Sequence, residues 1–136
     1  HTAGCKFILK GIMTVADAKE AVAAGVDCIV VSNHGGRVME YAPGTARVLP
    51  AIARAVKGQV TIMVDGGVRS GADVLKMLAL GADLVGIGRP VVWAAIGGGA
   101  EGVSKYIAQV KGELVQTMVL TGCKDIAAIN EDVLFA

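Results

Sequence analysis

What the 136-residue sequence lacks narrows the field first. It has no apolar run approaching the roughly 18 residues that a membrane-spanning helix needs. No signal peptide is visible either, because Lys6 and Lys10 interrupt the short apolar start. Excess charge is missing too. Thirteen basic and 12 acidic residues leave a net charge of +1, so no broad field favours nucleic acid or an anionic membrane, and any anion recognition must be local. Cysteines are few: Cys5, Cys28 and Cys123 are widely spaced and odd in number, with no CxxC pair and no metal-ligand pattern. That predicts reduced thiols in a cytoplasmic protein and no metal site. The chain begins at His1 rather than Met, which points to a fragment or a processed chain; His1 itself receives no role.

What is present is apolar and rich in glycine. The sequence is 54% hydrophobic, enough to bury a core, and its 19 glycines exceed the usual share. Many follow apolar runs, where backbone must turn tightly or approach a ligand. Short apolar runs alternate with amphipathic stretches. Residues 7–9 form a first short strand that Lys10 closes. Residues 15–24 predict a helix, with Thr14 and Asp17 near its start and Gly25 at its end. Residues 28–31 are continuous and β-branched, as in a strand covered on both faces. Residues 45–56 are helical in period, and Pro50 either bends that helix or sits in its first turn. Residues 60–64 make the next strand. Residues 70–80 make the next helix, with Ser70 as N-cap and Gly81 as stop. Residues 84–87 make a fourth strand, and residues 103–120 a longer helix closed by Gly122. Between these last two, Gly97-Gly-Gly99 reads as a hinge or loop. Trp93, Cys28, Met63, Met77 and Met118 read as packing residues.

The segments Ala24-Gly-Val-Asp-Cys-Ile-Val-Val31 and Leu80-Gly-Ala-Asp-Leu-Val-Gly-Ile87 echo each other: a helix ends at glycine, an Asp follows, and an apolar strand begins. Four such strand–helix units predict an α/β fold with a parallel sheet and right-handed crossovers. A doubly wound open sheet and half of a (β/α)8 barrel both fit. The polar residues favour the barrel. Lys10, Ser32-Asn-His34, Asp65-Gly-Gly67 and Gly88-Arg89 each stand at the C-terminal end of a strand, the rim on which barrels build their sites. In an open sheet, ligands gather at the switch point instead. Since a complete barrel has about 250 residues, residues 1–136 would be its C-terminal half.

Ser32-Asn-His-Gly-Gly-Arg37 is the most informative segment. A histidine on a glycine-rich turn at a strand end faces a ligand, and an imidazole titrates near neutral pH, which suits a general base. Arg37 can grip a carboxylate with two parallel hydrogen bonds. A structural histidine beside a surface arginine is the plainer reading of the hexapeptide. Asp65-Gly-Gly-Val-Arg69 follows the third strand and opens onto a helix. The N–H groups of that turn and of the helix N-terminus suit a phosphate, and Arg69 adds charge. Gly88-Arg-Pro90 repeats the pattern after the fourth strand, with Arg89 in place for a phosphate oxygen. Either loop alone is equally compatible with ordinary turn chemistry. Lys10, taken in isolation, reads more readily as a solvated strand end than as a cation set against a ligand.

Taken together these segments resemble the C-terminal portion of the FMN-dependent 2-hydroxy acid oxidases and dehydrogenases, a family that includes glycolate oxidase, lactate oxidase and flavocytochrome b2. The matching pieces occur in order along nearly the whole chain: Leu9-Lys-Gly-Ile12, Val31-Ser-Asn-His-Gly-Gly-Arg37, Leu49-Pro50, Val64-Asp-Gly-Gly-Val-Arg69, Gly71-Ala-Asp-Val-Leu-Lys76, Leu78-Ala-Leu-Gly-Ala-Asp83, Ile87-Gly-Arg-Pro90 and Leu120-Thr-Gly-Cys123. The resemblance implies FMN as cofactor, His34 as the active-site base and Arg37 as the clamp on the substrate carboxylate. It makes Lys10 the lysine beside the flavin N1–O2 edge, which reverses its isolated reading, and Ser32 a flavin-ring contact. It assigns Asp65, Gly66, Gly67, Val68 and Arg69, together with Gly88 and Arg89, to the ribityl-phosphate site.

The activity so implied is oxidation of a lactate- or glycolate-like 2-hydroxy acid to a 2-oxo acid. The remaining barrel strands, the substrate-binding tyrosines and the Asp that orients the histidine belong to the family's N-terminal half, so this chain is expected to need that half for full activity. A homotetramer is implied by the same resemblance. Two other readings stand beside it: another FMN- or phosphate-binding barrel such as a flavin-dependent isomerase, whose family pattern lacks the Ser-Asn-His-Gly-Gly-Arg segment, and a non-enzymatic half-barrel that only assembles with a complementary half.

Overall fold

The computed structural model describes residues 4–135; His1 lies outside them. Four parallel strands, β1 (Ile8–Ile12), β2 (Cys28–Val31), β3 (Thr61–Val64) and β4 (Leu84–Val85), pair in the order β1-β2-β3-β4. Helices α1 (Val15–Ala23), α2 (Thr45–Val56) and α3 (Gly71–Ala79) connect them, and α4 (Arg89–Leu120) follows. A sheet that grows by one neighbour per unit, with right-handed crossovers, carries its helices on one face. It has no reversal of strand order, so it has no switch point. This is half of a (β/α)8 barrel rather than a doubly wound sheet.

Strand alternation explains the layering. Ile29, Val31, Ile62 and Val64 are fully buried and pack with Ala18, Leu49, Ile52 and Val56 of the helices into one core. The intervening positions form the opposite face, the one a barrel turns inward. There Lys10, Val30, Met63 and Leu84 lie in register across all four strands. That face is apolar at its margins, and Ile8 and Leu84 are more than half exposed at its two ends.

β1 does not stop at Lys10. It continues to Ile12 through a register shift between Lys10 and Ile12, and Gly11 between them takes φ +104. The extra residue keeps the Lys10 side chain on the inner face and returns Ile12 to the helix-covered core, where it is 5% exposed. The internal echo is a structural repeat. Gly25 and Gly81 both turn with positive φ at a helix end. The Asp that follows each accepts a backbone N–H near the start of the neighbouring strand, Asp27 from Phe7 and Asp83 from Ile62, both at 2.8 Å. Lys6 pairs with Asp27 at 2.8 Å and holds its carboxyl below the usual range.

Of the two places open to Pro50, the first turn is excluded: it lies deeper inside α2. Two further expectations need correction. The fourth strand is confined to Leu84–Val85. The last helix begins at Arg89, not at residue 103, and it is broken at Gly98 and Gly99, where φ/ψ of 57 and −144 at Gly99 turn the chain. The three glycines therefore join two helical arms. The near arm starts at the sheet's C-terminal rim and the far arm packs along α3. Gly102, close after the turn, sits where a Cβ would lie 2.3 Å from the Ala94 carbonyl oxygen, so the two arms touch backbone to backbone.

Candidate functional site

The loops after β1 to β4 converge on one cleft of about 290 Å³. Lys10, His34, Arg37, Asp65 to Arg69, Gly88 and Arg89 all line it. Four cationic side chains (Lys10, Arg37, Arg69 and Arg89) face one carboxylate, Asp65, in a chain whose net charge is only +1. Positive charge is thus concentrated here, where local anion recognition would need it.

The floor is built on Lys10. Its ammonium donates to Ser32 Oγ and pairs with Asp65 Oδ2 at 2.7 Å, which ties the ends of β1, β2 and β3 together. Ser32 is 2% exposed and lies beneath Lys10 rather than among the cleft-lining residues. Its hydroxyl also accepts the His34 N–H at 3.2 Å, so it supports the turn above it.

That turn runs from His34 to Gly36. Asn33 Oδ1 accepts the Gly35 N–H at 3.0 Å, and the Asn33 amide donates to the Pro43 carbonyl at 3.1 Å. His34 itself adopts φ +55, uncommon for a residue other than glycine. The conformation projects His34 and Arg37 into the cleft. Gly35 has a specific reason to be glycine. Its φ is +67, and a Cβ there would come within 3.1 Å of the Arg89 guanidinium. The turn that carries the histidine is thus stacked against the arginine that opens α4.

Residues 65–70 form the second wall. The Asp65 carbonyl accepts from the buried Thr45 hydroxyl at 2.7 Å. Gly66 and Gly67 take φ of +97 and +80. Among the described residues, no acceptor takes the N–H groups of Gly66, Gly67 or Val68, and a Cβ on Gly67 or Gly88 would meet nothing within 4 Å. At the N-terminus of α3, also expected to serve an anion, most of the N–H groups already have acceptors within the chain. Asp73 accepts the N–H groups of Arg69 and Ser70, at 3.0 and 3.2 Å, and Ser70 Oγ accepts that of Asp73 in a reciprocal capping box. Glu113 accepts the N–H of Gly71 at 2.8 Å. The helix end that does open on the cleft is that of α4, whose N-cap, Gly88, makes no side-chain capping bond and which has Pro in its first turn. Trp93, expected in the core, is 57% exposed and lines the cleft. It stands one helical turn from Arg89, on the same side of α4. The four other packing residues behave as read: Cys28 and Met77 are buried, and Met63 and Met118 are partly so.

The residues fit a flavin mononucleotide. Two open glycine turns, N–H groups without acceptors and two arginines suit its phosphate, and a lysine on the floor suits a ring system that gains negative charge. A cationic, glycine-lined cleft at the C-terminal rim of parallel β/α units defines the class, a barrel-type domain whose site suits an anionic ligand.

The chain belongs to the FMN-dependent dehydrogenase family, whose model matches residues 1–136. An L-lactate oxidase of Lactobacillus jensenii is 52% identical over 127 residues, 93% of this chain and 31% of that protein. An L-lactate dehydrogenase of Acinetobacter baylyi is 50% identical over the same length, 93% of this chain and 33% of its own. A crystal structure of mandelate oxidase with 3,3-difluoro-2-hydroxy-3-phenylpropionic acid superposes with a TM-score of 0.91 at 44% identity, covering 94% of this chain and 39% of that one. A mandelate oxidase mutant with a monooxide FMN adduct gives 0.90 at 45% identity, over 93% and 40%. The chain spans about a third of the length of the curated relatives it matches.

Proposed function

We propose that residues 1–136 are the catalytic half of an FMN-dependent enzyme that oxidises a small 2-hydroxy acid to the 2-oxo acid, and that the N-terminal half of the barrel completes it. One observation carries this reading: His34 and Arg37 line the same cleft as the glycine turns bearing Arg69 and Arg89. A proton acceptor and a carboxylate clamp therefore sit beside a phosphate site. In this reading Arg37 binds the substrate carboxylate through paired charge-assisted hydrogen bonds and so orients the α-carbon. The bound FMN supplies the acceptor for the two electrons that leave that carbon. His34 accepts the proton lost from the substrate, and an imidazole is suited to hold it near neutral pH. Lys10, fixed by Ser32 and Asp65, brings a positive charge to the cleft floor. Gly66, Gly67, Val68, Arg69, Gly88 and Arg89 hold the phosphate, and Asp65 fixes Lys10 and the turn.

The half-exposed margins of the inner face, at Ile8 and Leu84, support a second half that covers them. A homotetrameric assembly and a cytoplasmic location belong to the same proposal and rest on the family resemblance. Among the described residues, no helix is long and apolar enough to cross a membrane.

The test is reductive bleaching of the flavin absorbance by L-lactate and related 2-hydroxy acids in the assembled enzyme, with His34→Ala beside the unchanged protein. Loss of a general base predicts a fall of roughly 10²- to 10⁴-fold in turnover, with flavin content unchanged. Turnover that survives the substitution removes His34 from the role.

A further inference from the structure

The far arm of α4 makes contacts that no part of the proposed chemistry uses. The Tyr106 hydroxyl donates to the Arg69 carbonyl at 2.8 Å. Glu113 accepts the Gly71 N–H at 2.8 Å, and the Gln109 amide holds its other oxygen at 2.8 Å. At the same place the backbones of α3 and α4 cross in near contact: a Cβ on Gly71 would stand 2.0 Å from the Leu114 nitrogen, so only glycine fits. Burial, with the nearby carboxylates of Glu113 and Asp73, pushes the Tyr106 phenol up, so it remains a donor at neutral pH. The near arm of the same helix begins at Arg89 in the cleft. One element therefore carries one arginine of the anion site on its first residue and grips the backbone of the other from behind.

We propose that Tyr106 and Glu113 are positioning residues for the phosphate end of the cleft, setting the 66–69 turn and Arg69 at a fixed place relative to Arg89. The inference rests on the reading of that anion as the phosphate of FMN. Its logic is geometric. Asp73 and Ser70 satisfy the inner N–H groups of the loop, but they belong to the same local unit and move with it. Tyr106 and Glu113 lie 37 and 42 residues further along the chain, and among the described residues theirs are the hydrogen bonds that tie the loop to the helix that presents Arg89, beside the backbone packing at Gly71. Without that tie the two arginines become independent, and the entropy of bringing them together falls on ligand binding.

The test compares two flavins on the apoprotein of the assembled enzyme, titrated by quenching of flavin fluorescence. FMN carries the phosphate and riboflavin lacks it. Tyr106→Phe removes one hydroxyl and no volume. One lost hydrogen bond predicts FMN binding weaker by roughly two- to tenfold, with riboflavin affinity and kcat at saturating FMN unchanged and only a small fall in melting temperature. Glu113→Ala should weaken FMN selectively as well, and Glu113→Gln, which keeps an acceptor for Gly71, should restore most of the loss. Equal weakening of both flavins would mean a general structural role and overturn the proposal, as would unchanged FMN binding in Tyr106→Phe. If the unsubstituted apoprotein fails to prefer FMN over riboflavin, it is the phosphate reading itself that falls, and the positioning role falls with it.

Discussion

The two ends of the cleft are held in different ways. The phosphate end, residues 65–71, is braced from a distance: Thr45 bonds the Asp65 carbonyl, Lys10 bonds its carboxylate, and Tyr106 and Glu113 reach in from the far arm of α4. The other end, residues 32–37, is held above its base by short-range bonds among Ser32, Asn33 and their near neighbours; the long-range bonds, from Lys10 and to the Ile12 carbonyl, reach only Ser32. Among the described residues, no hydrogen bond or ion pair reaches the His34 imidazole or the Arg37 guanidinium. In the proposed enzyme, anchoring an anion is thus largely complete within this half of a barrel. Orienting an imidazole for proton transfer is not, and in the proposed enzyme that orientation comes from the other half.

This contrast predicts that substitutions at the two ends act on different constants. The largest effect is expected at the open end. Arg37→Ala removes a pair of charge-assisted bonds that contribute about 3 kcal/mol, so KM for the 2-hydroxy acid should rise roughly a hundredfold. The FMN dissociation constant should stay where it is. Arg89→Ala should do the reverse, weakening FMN while leaving KM at saturating flavin nearly unchanged. A shift of the flavin constant in Arg37→Ala with KM untouched would erase the division. Gly35→Ala tests the one place where the ends meet. It puts a Cβ into the Arg89 guanidinium and forces a non-glycine residue to hold φ +67, a cost of about 1–2 kcal/mol. Both constants should therefore worsen together, each by about tenfold, as read by flavin titration and steady-state kinetics on one preparation. A change in only one of them would show that the stacking does not couple the two ends.

The same contrast explains what was legible in the sequence. The chemistry-bearing side chains stood out because each follows an apolar run and sits among glycines, so strand ends and turns could be placed without knowing the fold. His34, Arg37, Arg69 and Arg89 share one cleft for that reason. Lys10 was harder. Nothing near it in sequence marks it as more than a strand end; its partners Ser32 and Asp65 lie 22 and 55 residues away. The near arm of α4 was missed because its three glycines argue against a helix, while Pro90, which favours a first turn, was spent on the phosphate motif. Trp93 went astray with it. The closure of the α3 N-terminus by Glu113 could not be read at all, since it depends on where two helices cross. The local half of the site was readable, and the long-range bracing was not.

The smallest expected effect concerns that bracing and is read through pH. The Gln109 amide, and after it the Gly71 N–H, hold the Glu113 carboxyl below the ordinary carboxylate range, against weaker opposing pushes from burial and from Asp73. A folded value below the unfolded one means that folding favours the ionised form. The contribution is therefore complete above the ordinary carboxylate value and is lost as pH falls through the depressed one. Melting temperatures of the assembled enzyme and of Glu113→Gln, recorded from neutral pH downward, should differ in favour of the unsubstituted protein at neutral pH and converge in acid. Gln keeps an acceptor for Gly71 but has no charge to lose, so its own curve should lack this component. Solvent weakens the bond because Glu113 is only partly buried, so the gap should be a small one. Parallel curves with a constant gap would mean that Glu113 acts through shape rather than charge, and the Gly71 tie would then have to be explained by packing at the α3–α4 crossing alone.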